Sequence, residues 1–96
     1  MSDDVDAVSP PSGSRVVLLV RRDCHLCDDA RLVLTGLAET PDSGLDGWSE
    51  VDVDADPALA ERYGEYVPVV TVDGAQVCFW RVDADRVRRA LDGRPV

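Results

Sequence analysis

Two cysteines, Cys24 and Cys27, stand between a run of five apolar residues, Val16–Val20, and the start of an apolar stripe with helical spacing. The run is short, continuous and rich in β-branched side chains, the mark of a strand buried on both faces. From Leu26 onward the apolar positions are Leu26, Ala30, Val33, Leu34 and Leu37, in steps of 4, 3, 1 and 3. That spacing predicts a helix ending near Glu39, ahead of the turn cluster Thr40-Pro41-Asp42-Ser43-Gly44. A strand hidden on both faces needs cover on both sides, so the chain is constrained to an α/β arrangement.

The remaining chain supplies the rest of such a sheet. Trp48–Asp54 alternates apolar and polar residues and predicts a second strand. Asp56 is a fitting N-cap with Pro57 at the first helical position, and Gly64 closes that short helix. Val69–Val72 and Gln76–Trp80 flank Asp73-Gly74, a hairpin signal. Asp83 can cap a last helix, Ala84–Leu91, which Gly93 would end. The order is β-α-β-α-β-β-α. Two strands joined through a helix should be parallel with a right-handed crossover, and the hairpin then adds two antiparallel strands. The expected fold is a four-stranded mixed sheet flanked by helices. Residues 1–14, rich in Ser, Pro, Gly and Asp, read as a disordered leader, 15–92 as the folded domain and 93–96 as a tail.

Composition narrows the partners. A length of 96 residues allows one domain, and the net charge is −9 with no Lys at all. A protein that tracks phosphates needs clustered cations, so no nucleic-acid partner is expected. No apolar run approaches the roughly 20 residues of a membrane span. The acidic N-terminus has no apolar core, so no secretory signal is expected either. Three cysteines are too few, and odd in number, for a disulfide-stapled secreted miniprotein. A cytoplasmic domain without a membrane partner is the expectation.

Cys24-His25-Leu26-Cys27 is the candidate site. The spacing puts both sulfurs on one side of a helical turn, close enough for a reversible disulfide. The first sulfur would face free backbone N–H groups and the positive end of the helix dipole, which favour thiolate over thiol. The thiolate attacks in disulfide exchange, so Cys24 is the expected attacker and Cys27, more buried, the resolving thiol. A closed zinc site would need four ligands, and only His25 and Cys78 remain as soft donors. No cofactor or resident metal is therefore expected. The competing reading is a non-catalytic domain that holds a soft ion such as Zn²⁺ or Cu⁺ through Cys24 and Cys27, with or without His25. His25 could stabilise the thiolate or be an idle loop residue. Arg21 and Arg22 could lower the Cys24 pKa or grip a substrate carboxylate, or be a solvated pair. Cys78 reads as a core or sheet thiol, and Trp48, Trp80 and Tyr66 as packing residues, with Tyr66 nearest the site.

Three segments make the chain resemble the glutaredoxin-like proteins of the thioredoxin superfamily. They are Arg-Asp-Cys24-His-Leu-Cys27, Tyr66-Val67-Pro68-Val69-Val70 and Val72-Asp73-Gly74. The resemblance implies a thioredoxin-like fold and thiol–disulfide oxidoreductase activity on protein or small-molecule disulfides. It also implies a cis Val67–Pro68 bond beside the CxxC, where Val67 and Pro68 meet the substrate; by their positions Tyr66 and Arg21 are the expected further contacts. Electrons would come from a reductase or a low-molecular-weight thiol. Glutathione-dependent members carry Gly-Gly where this chain has Cys78 and Phe79, so glutathione dependence is not expected.

Overall fold

The computed structural model describes residues 15–93. Strand β1 (Val16–Val20) is buried along its whole length, as a central strand must be. The sheet order is β2-β1-β3-β4, with β2 at Ser49–Asp52, β3 at Val69–Val72 and β4 at Ala75–Phe79. β1 pairs in parallel with β2 and antiparallel with β3, and β3 pairs antiparallel with β4. Helices α1 (His25–Ala38), α2 (Pro57–Tyr63) and α3 (Ala84–Leu91) flank this mixed sheet. It is a thioredoxin-like fold.

Alternation along β1 divides the core in two. Val16, Leu18 and Val20 point toward α1 and α3, where they meet Cys27, Ala30, Leu34, Leu37, Val87 and Leu91. Val17 and Leu19 point the other way, toward Val53, Tyr63 and Val69. Burying a Val or Leu side chain is worth roughly 1.5–3 kcal/mol, so this central strand anchors both faces at once.

Local signals explain the element ends. Asp56 accepts the Ala58 N–H at 2.9 Å with Pro57 in the first turn of α2. Asp83 accepts from Asp85 at 2.9 Å and opens α3. The hairpin turn has φ +52 at Asp73 and +87 at Gly74. Two successive left-handed residues make the type I′ turn that matches strand twist. Arg15 forks onto both carboxylate oxygens of Asp73 at 2.9 Å, tying the start of β1 to that turn.

Three expectations need correction. The second strand does not run to Asp54: it stops at Asp52, whose carboxylate accepts the Asp54 N–H and turns Val53–Ala55 into a 3₁₀ helix. Alternation survives the turn because Val53 still drops into the core beside Tyr63. The last strand spans Ala75–Phe79 and excludes Trp80, whose φ of +65 breaks the ladder. In α1 the buried stripe is Cys27, Ala30, Leu34 and Leu37, while Leu26 and Val33 sit at its half-buried edge. The stripe begins at a cysteine, which behaves as a small hydrophobe. The expected leader, 1–14, and all of the expected tail except Gly93 lie outside the described residues.

Candidate redox site

The turn Arg21–Asp23 carries the chain from β1 to α1, with Asp23 in the left-handed region at φ +55, which Asp tolerates better than most residues. It delivers Cys24 to the N-cap of α1. There the Cys24 sulfur accepts the Cys27 backbone N–H at 3.0 Å, and the Cys24 carbonyl takes the first helical bond from Asp28. A helix N-terminus leaves N–H groups without intrahelical acceptors, and a sulfur at this position supplies one. Cys24 and Cys27 are joined as a disulfide with their Cα atoms 5.2 Å apart. Cys24 is partly exposed, whereas Cys27 is fully buried among the α1 core residues. One sulfur meets solvent and the other faces the core.

The β1–β3 register brings a second segment to the same end of the sheet. Leu19 pairs with Val69, so one step further Pro68 comes level with Val20, just before the Cys24 turn. The Val67–Pro68 peptide is cis. Pro68 is buried and its carbonyl accepts the Trp80 N–H at 2.9 Å. Among the described residues, no hydrogen bond occupies the N–H or the C=O of Val67. An open pair of backbone groups at a strand end is what an added extended chain can pair with.

Charges around the site are mostly committed. Arg21 forks onto Asp54 at 2.9 and 3.1 Å and donates to the Gly64 carbonyl at 2.9 Å. Its guanidinium braces the site turn against the 3₁₀ segment and the end of α2. Asp54 is held below the usual carboxylate range by that guanidinium. Asp28, which would oppose a thiolate at Cys24, is paired with Arg31 at 2.7 Å. His25 is exposed on the first turn. Cys78 is buried and free, its thiol pushed up by burial, so it is poorly suited to attack. Among the described residues no group of three or more His, Cys, Asp or Glu is placed to hold a metal ion. Two-cysteine metal capture would need further donors from elsewhere.

A model of the family described as Glutaredoxin-like domain (DUF836) matches residues 15–92.

The chain belongs to that family.

An uncharacterised protein of Mycobacterium tuberculosis is 35% identical to this glutaredoxin-like chain over 81 residues, covering 80% of the chain and 81% of the relative. The crystal structure of a protein from X. campestris superposes with a TM-score of 0.65 at 36% identity, covering 83% of this chain and 99% of that one. Thioredoxin of Malassezia sympodialis matches with a TM-score of 0.53 at 18% identity, over 91% and 87% of the two chains, which supports the fold alone. Family, fold and the CxxC pair together support a function of redox type. No described helix is long and apolar enough to cross a membrane.

One feature escaped the sequence reading. Tyr66, Phe79 and Trp80 are not packing residues hidden in the fold: they are 44%, 44% and 51% exposed. They contact one another, with ring centroids 5.7 Å apart for Tyr66–Phe79, 5.1 Å for Phe79–Trp80 and 6.3 Å for the stacked Tyr66–Trp80 pair. Trp48 alone among those expected to pack does so, against the α1 side of the core. The available signal was two aromatics ending a strand just before a helix cap, which pattern reading assigns to the sheet.

Proposed function

We propose that this protein is a dithiol–disulfide oxidoreductase that reduces protein or small-molecule disulfides in the cytoplasm. The observation that carries the reading is the division of labour at α1, where an N-cap sulfur is partly exposed and its partner is buried. In the reduced protein the Cys24 thiolate attacks one sulfur of a substrate disulfide R–S–S–R′. The S–S bond breaks, a mixed disulfide forms at Cys24, and R′S⁻ leaves and takes a proton. Cys27 loses its proton and attacks the Cys24 sulfur, giving the intramolecular disulfide and RS⁻, which is protonated in turn. Two electrons pass from the dithiol to the substrate. A second dithiol, a flavoprotein reductase or a pair of low-molecular-weight thiols returns them by the reverse exchange.

Val67 supports the same step. Its open N–H and C=O could pair with the substrate chain on either side of its cysteine and present that sulfur to Cys24. Glutathione fits less well, because Phe79 puts an exposed ring at a position where glutathione-dependent members have a glycine.

The test is disulfide reduction by single-cysteine variants of the full chain, with a chemical thiol as electron source. Cys24→Ser should abolish turnover. Cys27→Ser should turn over at least about tenfold more slowly while accumulating a mixed disulfide, since attack survives and resolution fails. Turnover by Cys24→Ser at the wild-type rate would refute the reading.

A further inference from the structure

Trp80 holds an unusual position. It lies in the left-handed region at φ +65, where a bulky residue is a genuine outlier. Its backbone N–H is shared between the carbonyls of Tyr66 and Pro68 at 3.1 and 2.9 Å, and its indole N–H donates to the Glu65 carbonyl at 2.9 Å. Three hydrogen bonds thus fasten one residue to the segment that carries the cis Val67–Pro68 bond, yet the ring stays half exposed. Fixing a large aromatic in this way does nothing for the core. It holds a surface in place.

That surface continues toward the cysteines. Trp80, with Arg81 and Val82 after it, forms one wall of a groove of about 190 Å³ whose other wall is α1, through Leu26, Asp29, Ala30 and Val33. Leu26 directly precedes Cys27 in the chain, so one end of the groove lies a residue away from the redox pair. On its other flank Trp80 stacks with Tyr66, next to the open backbone of Val67. Its volume falls below the roughly 300 Å³ at which sites for cofactors and drug-sized ligands begin, and suits a single side chain.

We propose that Trp80 is a specificity-determining residue, and that the groove between its indole and Leu26 receives a large apolar side chain next to the cysteine of a polypeptide disulfide. The inference rests on the oxidoreductase reading above and adds its substrate class. An extended chain paired with Val67 sends neighbouring side chains to opposite sides, so a residue flanking the cysteine is within reach of the aromatic surface while its sulfur meets Cys24. Tyr66 and Phe79 extend the exposed aromatic surface from Trp80, outside the groove itself.

The test uses the pre-reduced full chain and two peptides, each carrying one cysteine as a mixed disulfide with 2-mercaptoethanol. One has Phe beside the cysteine and the other has Ala. The wild type should react with the Phe peptide about tenfold faster, as burial of a phenyl ring implies. Trp80→Ala should bring that ratio close to one, and Trp80→Phe, which keeps an aromatic wall, should restore most of it. A Trp80 that merely stabilises the fold would slow both peptides by the same factor and leave the ratio intact, which would overturn the proposal. Equal rates in the wild type would overturn it without any variant. Failure of the wild type to attack either peptide, or any other disulfide, would instead remove the oxidoreductase reading and this inference with it.

Discussion

A sulfur at a helix N-cap sits where backbone N–H groups have no other acceptor, and reduction leaves the Cys24 sulfur in that field. In the proposed exchange, the hydrogen bond that caps α1 would favour the attacking thiolate, and burial of Cys27 would withhold the second sulfur until a mixed disulfide has formed. The placement of the two cysteines at the start of α1, with Cys27 the more buried, was legible in the sequence because a CxxC pair following a buried strand leaves little choice of position. The role of Arg21 was not, because its partners Asp54 and Gly64 come from distant points of the chain. Thr71 shows the other side of residue-level accounting. It is 1% exposed on β3, and its hydroxyl has no hydrogen-bond partner among the described residues. A buried unpaired hydroxyl costs about 1–3 kcal/mol. Thr71→Val keeps the shape and removes that group, so urea unfolding should show a gain of about 1 kcal/mol. A loss of similar size would mean that the hydroxyl is satisfied after all.

Elements are placed by their caps and by the ties between them. Asp56, Asp83, Gly93 and the Asp73-Gly74 turn could be read directly, because each is a short-range device whose geometry depends on one or two residues. The end of β2 could not, since the Asp52 carboxylate competes with the ladder by capping the next turn. The Arg21–Asp54 pair joins the site turn to that segment at 2.9 Å. Asp54 has a folded-state pKa lowered by the Arg21 hydrogen bond. A lowered carboxylate pKa contributes stability above its unfolded value, about 3.9, and loses it as the pH falls through the folded value. Asp54→Asn should therefore lower the melting temperature at pH 7 and narrow the difference between pH 7 and pH 3. An unchanged pH 7 to pH 3 difference would show that the tie contributes nothing, as many exposed pairs do.

The molecule as a whole is a mixed sheet with the redox pair at one end and an aromatic surface beside it. The element order and the mixed four-stranded sheet followed from the sequence because each strand has a strong pattern, whereas the strand order β2-β1-β3-β4 came only with the structure. The aromatic surface did not follow, because an exposed ring and a buried one look alike in sequence, and the left-handed turn at Trp80 has no signal there. Phe79 belongs to that surface, while Cys78 beside it points into the core and adds no bulk outside. Titration of glutathione into the Cys27→Ser protein, followed by backbone amide shifts, should show binding in about the millimolar range or weaker. Saturable micromolar binding centred on Val67, Phe79 and Asp83 would mean that the tripeptide is accommodated despite the ring. The most direct measurement is mass spectrometry of Cys27→Ser protein mixed with an excess of a disulfide-linked peptide, with the adduct mapped by proteolysis. The account predicts one peptide per chain, bonded to Cys24, and no persistent adduct on the wild type. An adduct on Cys78, or a stable adduct on Cys24→Ser with none on Cys27→Ser, would contradict it.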